Sequence, residues 1–89
     1  MSSSTKREKD NAEFFAMSRR MIRAAGRRVS SEDPSDLAAL LKLRDELDAV
    51  ISDTARSLHS QGWSWGEIAY EINVTPQAAR QRWAKRESA

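Results

Sequence analysis

Cysteine is absent from this chain of 89 residues, and glycine and proline are rare, with three and two copies. Without cysteine there can be no disulfide and no metal site built on thiolates. Few glycines and prolines leave few sharp turns, which disfavours a β fold with many hairpins and is typical of helices. The composition therefore predicts an all-α protein.

The sequence also lacks any long apolar run, signal-peptide pattern or lipidation motif. Hydrophobic residues make up 39% of the chain. That fraction suits one small domain with a modest core and is too low for a large pocket. We therefore expect a cytoplasmic protein that does not enter a membrane.

Residues suited to catalysis or metal binding are few. His59 is the only histidine, and one histidine without cysteine cannot hold a metal ion alone. We interpret it as a surface residue near a helix end, where a cation suits the helix dipole. The acidic residues of the middle segment lack an apolar pocket that would adapt them to acid–base chemistry: Asp45, Glu46, Asp48 and Asp53. We expect no enzymatic activity, metal, cofactor or small-molecule substrate.

The net charge of +2 hides a strong segregation along the chain. Residues 1–29 carry +5, residues 30–61 carry −4 and residues 62–89 carry +1. Such asymmetry favours either a polyanionic partner or contact between the basic arm of one subunit and the acidic helix of another.

The N-terminal part divides into a polar arm and a basic amphipathic helix. Residues 1–10 have no apolar residue after the initiator, so we predict a disordered basic arm. Residues 11–28 place Phe14, Met17 and Met21 at helical spacing, which predicts a stripe that faces the core. The opposite face is compatible with a solvated surface, DNA-backbone contact or anionic membrane. It carries Arg19, Arg20, Arg23, Arg27 and Arg28.

A long helix is predicted from Pro34 to Gln61, with Asp33 as its N-cap and Gly62 as its stop. It would be roughly 40 Å long. Its apolar stripe is too wide for the first helix and the C-terminal helices to cover, so we predict a homodimer. The alternative is a monomeric bundle of three or four helices. The predicted dimer contacts are Leu37, Leu40, Leu41 and Leu47.

Two short capped helices follow in residues 64–83. Ser64 and Glu67 form a capping-box pattern at the start of the first helix. Asn73 suits the left-handed residue that ends it, and Thr75 with Pro76 begins the second. The predicted core of this pair consists of Trp65, Ile68, Ala69, Ile72, Ala78, Ala79, Arg82 and Trp83.

Trp63 is predicted to pack as a staple toward Ile68, with base stacking as the alternative.

This segment resembles the helix-turn-helix DNA-binding proteins. Ile68-Ala69, Ile72-Asn73-Val74-Thr75 and Ala79 match the apolar pair, turn and small inward residue of that motif. The ending ARQRW is most similar to the recognition helix of sigma-factor region four and of short actinobacterial and phage regulators. The chain departs from the pattern at Asn73, where glycine is usual, and at Arg82, where an apolar residue is usual.

The resemblance implies a sequence-specific double-stranded DNA-binding protein, a small dimeric transcriptional regulator associated with the nucleoid. Residues 11–61 would then be the helical dimerisation region and residues 62–89 the DNA-binding region. Base readers would be Gln77, Arg80 and Gln81 on the outward face, which also includes Pro76 and Ala84. Phosphate contacts would be Tyr70, Thr75, Arg82, Lys85 and Arg86, together with the arginines of the first helix.

The alternative is a helical protein-interaction module, either an adaptor or an anti-regulator, whose long acidic and apolar helix binds a partner protein.

Overall fold

The computed structural model describes residues 2–29 and 34–84, with side chains from residue 6 onward. Its elements are α1 (Ser2–Arg28), a 3-10 turn (Pro34–Asp36), α2 (Leu37–Ser60), α3 (Trp65–Ile72) and α4 (Pro76–Trp83). The described part of the chain contains no strand, which confirms the predicted all-α class. The chain divides into two compact units, residues 1–43 and residues 44–89.

Helix α1 begins at Ser2, nine residues before the predicted start. The prediction of a disordered arm over residues 1–10 is therefore wrong for residues 2–10. No glycine or proline interrupts this stretch, and lysine, arginine and glutamate are good helix formers. Extending an existing helix adds one hydrogen bond for each residue fixed, so the downstream segment can propagate backward.

The apolar stripe of α1 is exposed, which corrects the prediction that it faces a core. Phe14 is 60% exposed and Met21 65%. None of the side chains described in α1 is buried. A helix with this stripe needs a facing apolar surface to bury it, and the described residues of the first unit do not supply one.

Helix α2 starts three residues later than predicted, because residues 34–36 form a tighter 3-10 turn. The predicted N-cap, Asp33, lies outside the described residues. Leu37, Leu41 and Leu47 are between 44% and 49% exposed, and Leu40 is partly buried. The only ion pair among the described residues joins Arg56 to Asp53 at 2.9 Å on the α2 surface.

The end of α2 is fixed by a hydrogen-bonded turn around Gly62, as the sequence predicts. The Trp63 N–H donates to the Leu58 carbonyl at 3.2 Å, and the Gly62 N–H donates to the His59 carbonyl at 3.0 Å. Gly62 has φ +114°, a conformation that side chains with a Cβ rarely adopt. These bonds form a Schellman motif, which satisfies carbonyls that the helix leaves without partners.

His59 also stabilises this turn between α2 and α3, which we call the elbow. Its Nδ1 lies 2.9 Å from the Trp63 carbonyl oxygen. Because a carbonyl oxygen only accepts, the Nδ1–H is the donor. The imidazole also stacks on Trp65, with ring centroids 4.3 Å apart and 18° between their planes. His59 thus joins the last turn of α2 to the first residue of α3.

The caps of α3 and α4 are those predicted. The Ser64 hydroxyl accepts the Glu67 N–H at 3.0 Å, and the Glu67 carboxylate accepts the Ser64 N–H at 2.9 Å. Asn73 ends α3 in the left-handed region, with φ 62° and ψ 44°. The Thr75 hydroxyl accepts the Ala78 N–H at 3.0 Å, and Pro76 is the first residue of α4. Local chemistry therefore sets both boundaries of this helix pair.

The core of the second unit is small and depends on two tryptophans. The rings of Trp65 and Trp83 are 6.2 Å apart, and these residues are 7% and 5% exposed. Ala69 and Ala79 are fully covered. Such small side chains let helix backbones approach closely, so α3 and α4 pack tightly against each other. The buried cluster consists of Ala55, Trp65, Ile68, Ala69, Ala79 and Trp83.

Four residues lie differently from their predicted positions in this core. Ile72 is 45% exposed and Trp63 51%, because α3 ends at Ile72 and Trp63 lies in the elbow before it. Arg82 is exposed, whereas Ala84, predicted to face outward, is partly buried against the core. Val74, in the turn, packs against the cluster, and Ile72 is not a member of it.

Trp83→Ala should lower the free energy of unfolding by roughly 3–5 kcal/mol, because it removes a buried aromatic ring from a core with few other large side chains. Urea unfolding followed by circular dichroism measures this loss. Ile72→Ala is the matched control, and its exposed side chain predicts a much smaller change. Equal losses for the two variants would contradict this description of the core.

His59→Ala should destabilise the elbow by about 1 kcal/mol, since it removes one hydrogen bond and one ring contact. His59→Phe keeps a ring against Trp65 and loses only the hydrogen bond, so its loss should be smaller. The urea midpoints of the two variants and the wild type give the comparison. An unchanged midpoint for His59→Ala would show that the side chain does not hold the elbow.

Candidate nucleic-acid interface

Helix α4 presents three polar side chains to solvent on the side away from its buried residues. Gln77, Arg80 and Gln81 are all exposed. Their spacing of three and four residues puts them on one helical face. Ala79 and Trp83, four residues apart, form the buried face. The structure thus brings the three predicted base readers together on one accessible surface, which we call the α4 face.

The rotation of α4 about its axis is determined by burial and capping. The Thr75 cap and Pro76 fix where the helix begins. The buried ring of Trp83 then fixes which side turns inward. Arg82 is exposed, with its guanidinium carbon 5.8 Å from the Trp83 ring centroid. That position is within range of a cation–π contact. The apolar bulk supplied by Trp83 thus leaves the adjacent Arg82 at the surface.

The predicted phosphate contacts do not all lie in one place. Thr75 is exposed and uses its hydroxyl oxygen to cap α4, which leaves its O–H as a donor. Arg82 is exposed beside the α4 face. Lys85 and Arg86 lie outside the described residues.

Tyr70 occupies a different surface. It is 83% exposed. It lines a groove that contains no residue of α4, so the structure groups it with that groove and not with the α4 face.

The five arginines predicted as backbone contacts on α1 are all exposed. They belong to the first compact unit, whereas α4 belongs to the second. Each unit therefore carries exposed positive charge of its own, and the structure describes each of these surfaces within its own unit. The α1 surface consists of Arg19, Arg20, Arg23, Arg27 and Arg28.

Charge is segregated between the two short helices. The acidic residues of these two helices, Glu67 and Glu71, are on α3. Their basic residues, Arg80 and Arg82, are on α4. An anion that approaches the α4 face therefore meets arginines and glutamines. A cation is attracted instead to the two glutamates of α3.

The groove was not predicted from the sequence, and neither was the role of His59 in the elbow. The groove is lined mainly by apolar side chains from the end of α2, the elbow and α3. Trp63, Tyr70 and Ile72 line it and are all more than 40% exposed. The signal in the sequence was the surplus of large apolar residues around two short helices, which exceeds what one small core can bury.

Within the described part of the chain, no three histidine, cysteine or acidic residues come together as metal ligands. No ionisable side chain is buried there. None of the described helices combines the length and the hydropathy needed to cross a membrane.

Comparison with known proteins found no matching family model, no matching curated protein and no matching solved structure. Interpretation of the α4 face therefore depends on its own geometry and chemistry.

Proposed function

We propose that this protein binds double-stranded DNA in a sequence-specific manner, with α3 and α4 acting as a helix-turn-helix and α4 entering the major groove. The observation that carries this proposal is the α4 face, where Gln77, Arg80 and Gln81 project together from a helix with a fixed rotation. The segment also resembles the corresponding part of sigma-factor region four. Nothing in the proposal requires a metal or a cofactor.

The dimensions and side chains of α4 suit this task. A helix with its side chains is about 10–12 Å across, which fits the major groove of B-DNA, about 12 Å wide. Arginine donates two parallel hydrogen bonds to guanine, and glutamine pairs in two places with adenine. Residues near the N-terminus of a recognition helix meet base edges. Gln77, Arg80 and Gln81 are therefore assigned to base reading.

Phosphate contacts would surround this reading surface. Arg82 and the Thr75 hydroxyl border it, and Lys85 and Arg86 follow along the chain. Guanidinium groups match phosphate oxygens with paired hydrogen bonds. The arginines of α1 supply further cations for the DNA backbone. Tyr70 is left out of this set because it lines the groove on α3.

Three base readers specify few base pairs, so useful specificity requires two copies on a repeated half-site. Leu37, Leu41 and Leu47 of α2 are exposed and Leu40 is partly exposed, and this apolar surface would hold the second copy. We assign Leu37, Leu40, Leu41 and Leu47 to a homodimer contact. We propose that such a dimer acts as a small transcriptional regulator at the nucleoid.

A second candidate function is protein interaction alone, as an adaptor or an anti-regulator. The apolar groove on α3 and the exposed stripe of α2 favour it. The two functions differ in salt dependence. Binding through several phosphates weakens steeply with salt because it releases counterions, whereas apolar helix pairing does not.

Arg80→Ala should reduce affinity for a DNA site selected from a random pool by roughly 1–3 kcal/mol, because two hydrogen bonds to a base are lost. Affinity for random DNA should change little. Fluorescence anisotropy with both DNAs gives the ratio. An unchanged ratio of selected to random affinity would remove Arg80 from the base readers.

The matched control is Lys85→Ala combined with Arg86→Ala. It should weaken both DNAs alike and flatten the slope of log affinity against log salt by up to about two. If Arg80→Ala and this control both leave binding intact, α4 is not the DNA surface. The α1 arginines would then be the next surface to replace.

Leu40→Glu combined with Leu47→Glu should convert the dimer to a monomer and weaken DNA binding at the same time, since charge in an apolar contact is costly. Light scattering coupled to gel filtration measures the mass. Asp45→Lys on the same helix is the control for added charge and should keep the dimer. A monomeric wild type at tens of micromolar would contradict the dimer contact.

A further inference from the structure

We propose that residues 14–28 of α1 bind the surface of an anionic lipid bilayer, with the apolar side of the helix inserted among the headgroups. The contact lies within the first compact unit. It shares no residue with the α4 face or with the leucines assigned to the dimer, and it does not depend on DNA binding by α4. The apolar side consists of Phe14, Phe15, Met17, Met21, Ile22 and Ala25.

The apolar side of α1 and its arginines lie on opposite sides of the helix. At 3.6 residues per turn, Phe14, Met21 and Ala25 stand within about 40° of one another around the axis. Arg23 lies about 160° from Met21, and Arg27 is one turn further along the same side. Helices that lie in the plane of a membrane interface have a basic polar face and large apolar residues on the other face.

The apolar side is open to solvent along its length. Phe14 and Phe15 are each 60% exposed, and Met21 and Ile22 are 65% and 45% exposed. Contiguous exposed apolar surface of this kind marks sites where a soluble protein meets a partner or a membrane. Insertion among lipid headgroups and acyl chains would remove these side chains from water, which is favourable.

Polar groups on this side do not oppose shallow insertion. Between Phe14 and Ala25, the only polar side chain on the apolar side is Ser18. Its hydroxyl donates to the Phe14 carbonyl at 3.0 Å, so the donor is already satisfied within the helix. Arg28 lies in the last turn of α1 towards the same side. Its long apolar stem allows the guanidinium to reach the phosphates while the helix remains inserted.

The positive charge of α1 coincides with its apolar side along the chain. Residues 14–28 contain five arginines and no aspartate or glutamate. Residues 2–13 have no net charge, because three cations are balanced by three carboxylates. The occupant of the apolar side must therefore tolerate five nearby cations, which favours an anionic surface. The balancing groups in residues 2–13 are Lys6, Arg7, Lys9, Glu8, Asp10 and Glu13.

A lipid surface satisfies both faces of this helix, whereas DNA or a protein partner satisfies one. DNA offers phosphates to the arginines but leaves Phe14 and Met21 in water. A protein seated on the apolar side would not contact Arg23 and Arg27 behind the helix. An interfacial helix sinks by about 5–10 Å, and the bilayer potential extends over about 8 Å at physiological salt. Arginines on the far side therefore still contribute to binding.

Such binding is peripheral. The expectation that the chain does not enter a membrane depended on the lack of long apolar runs and lipidation motifs, and an interfacial helix needs neither. None of the described helices is suited to crossing a bilayer. The α1 arginines can contact lipid phosphates or DNA phosphates, one at a time, whereas the α4 face contains none of these arginines.

Cosedimentation of the full-length protein with vesicles tests the proposal. One set of vesicles contains two parts phosphatidylcholine to one part phosphatidylglycerol, and the other contains phosphatidylcholine alone. The variant combines Met21→Arg with Arg23→Met, both at exposed positions. This exchange keeps the composition and the net charge, and it moves a methionine from the apolar side to the arginine side. It therefore separates insertion from attraction by charge alone.

The wild type should bind the anionic vesicles and bind phosphatidylcholine far more weakly. The exchange variant should bind the anionic vesicles at least roughly tenfold more weakly, because it loses the burial of one large apolar side chain. Equal binding of the two proteins would show attraction by charge alone and overturn the proposal. A folded wild type that does not bind the anionic vesicles would also overturn it.

Insertion is also measurable without changing the arginines, which covers the case in which the exchange variant fails to fold by circular dichroism. The chain has no cysteine, so Met21→Cys and Ala16→Cys each give one site for a nitrobenzoxadiazole dye. Position 21 is on the apolar side, and position 16 is between Arg23 and Arg27 around the axis. Lipids that carry nitroxides in their acyl chains should quench the dye at position 21 and not at position 16. Equal quenching at both positions, or none, would overturn the proposal.

Fluorescence anisotropy with DNA on the same wild-type samples separates this inference from the proposed function. A protein that binds DNA but neither set of vesicles rejects only the lipid contact. A protein that binds anionic vesicles but no DNA rejects only the proposed function, and the lipid contact stands.

Discussion

The packing of Trp65 on Trp83 determines what the second unit can present to its surroundings. The two rings are the aromatic side chains of a six-residue core that also contains three alanines, whose small size lets α3 and α4 come close together. Because Trp83 is buried at the end of α4, the opposite side of that helix must face solvent. The directions of Gln77, Arg80 and Gln81 follow from this one contact. DNA recognition by α4 is proposed on the same basis, since base readers require a helix that does not rotate.

The elbow connects the packing of Trp65 and Trp83 to the end of α2. Gly62 turns the chain, and His59 joins the last turn of α2 to Trp65 by stacking while it donates to the Trp63 carbonyl. Ala55 brings α2 into the same buried cluster. The caps and this turn use the backbone groups around the elbow, and large apolar side chains line the groove beside it.

Local chemistry was predictable from the sequence to a large extent. The capping box at Ser64, the left-handed Asn73, the Thr75 cap and the stop at Gly62 all depend on a few neighbouring residues, and all four are present. The burial of a side chain depends on contacts between several helices, and it was harder to predict from the sequence. Ile72 has helical spacing from Ile68 but stands where α3 ends, so no element covers it. Residues 2–10 looked disordered by composition, yet they extend a helix that starts downstream. Prediction of the α4 face needed both local capping and burial, because the caps set the start of α4 and the buried Trp83 sets its rotation.

The central claim is that α4 reads DNA through its exposed face. The most direct measurement is the change in backbone amide chemical shifts of the full chain on addition of a DNA duplex selected from a random pool. The account predicts that the largest changes fall on Gln77, Arg80 and Gln81, while Ile72, which lines the apolar groove on α3, changes little. Largest changes at Trp63 and Ile72, or none on α4, would contradict it.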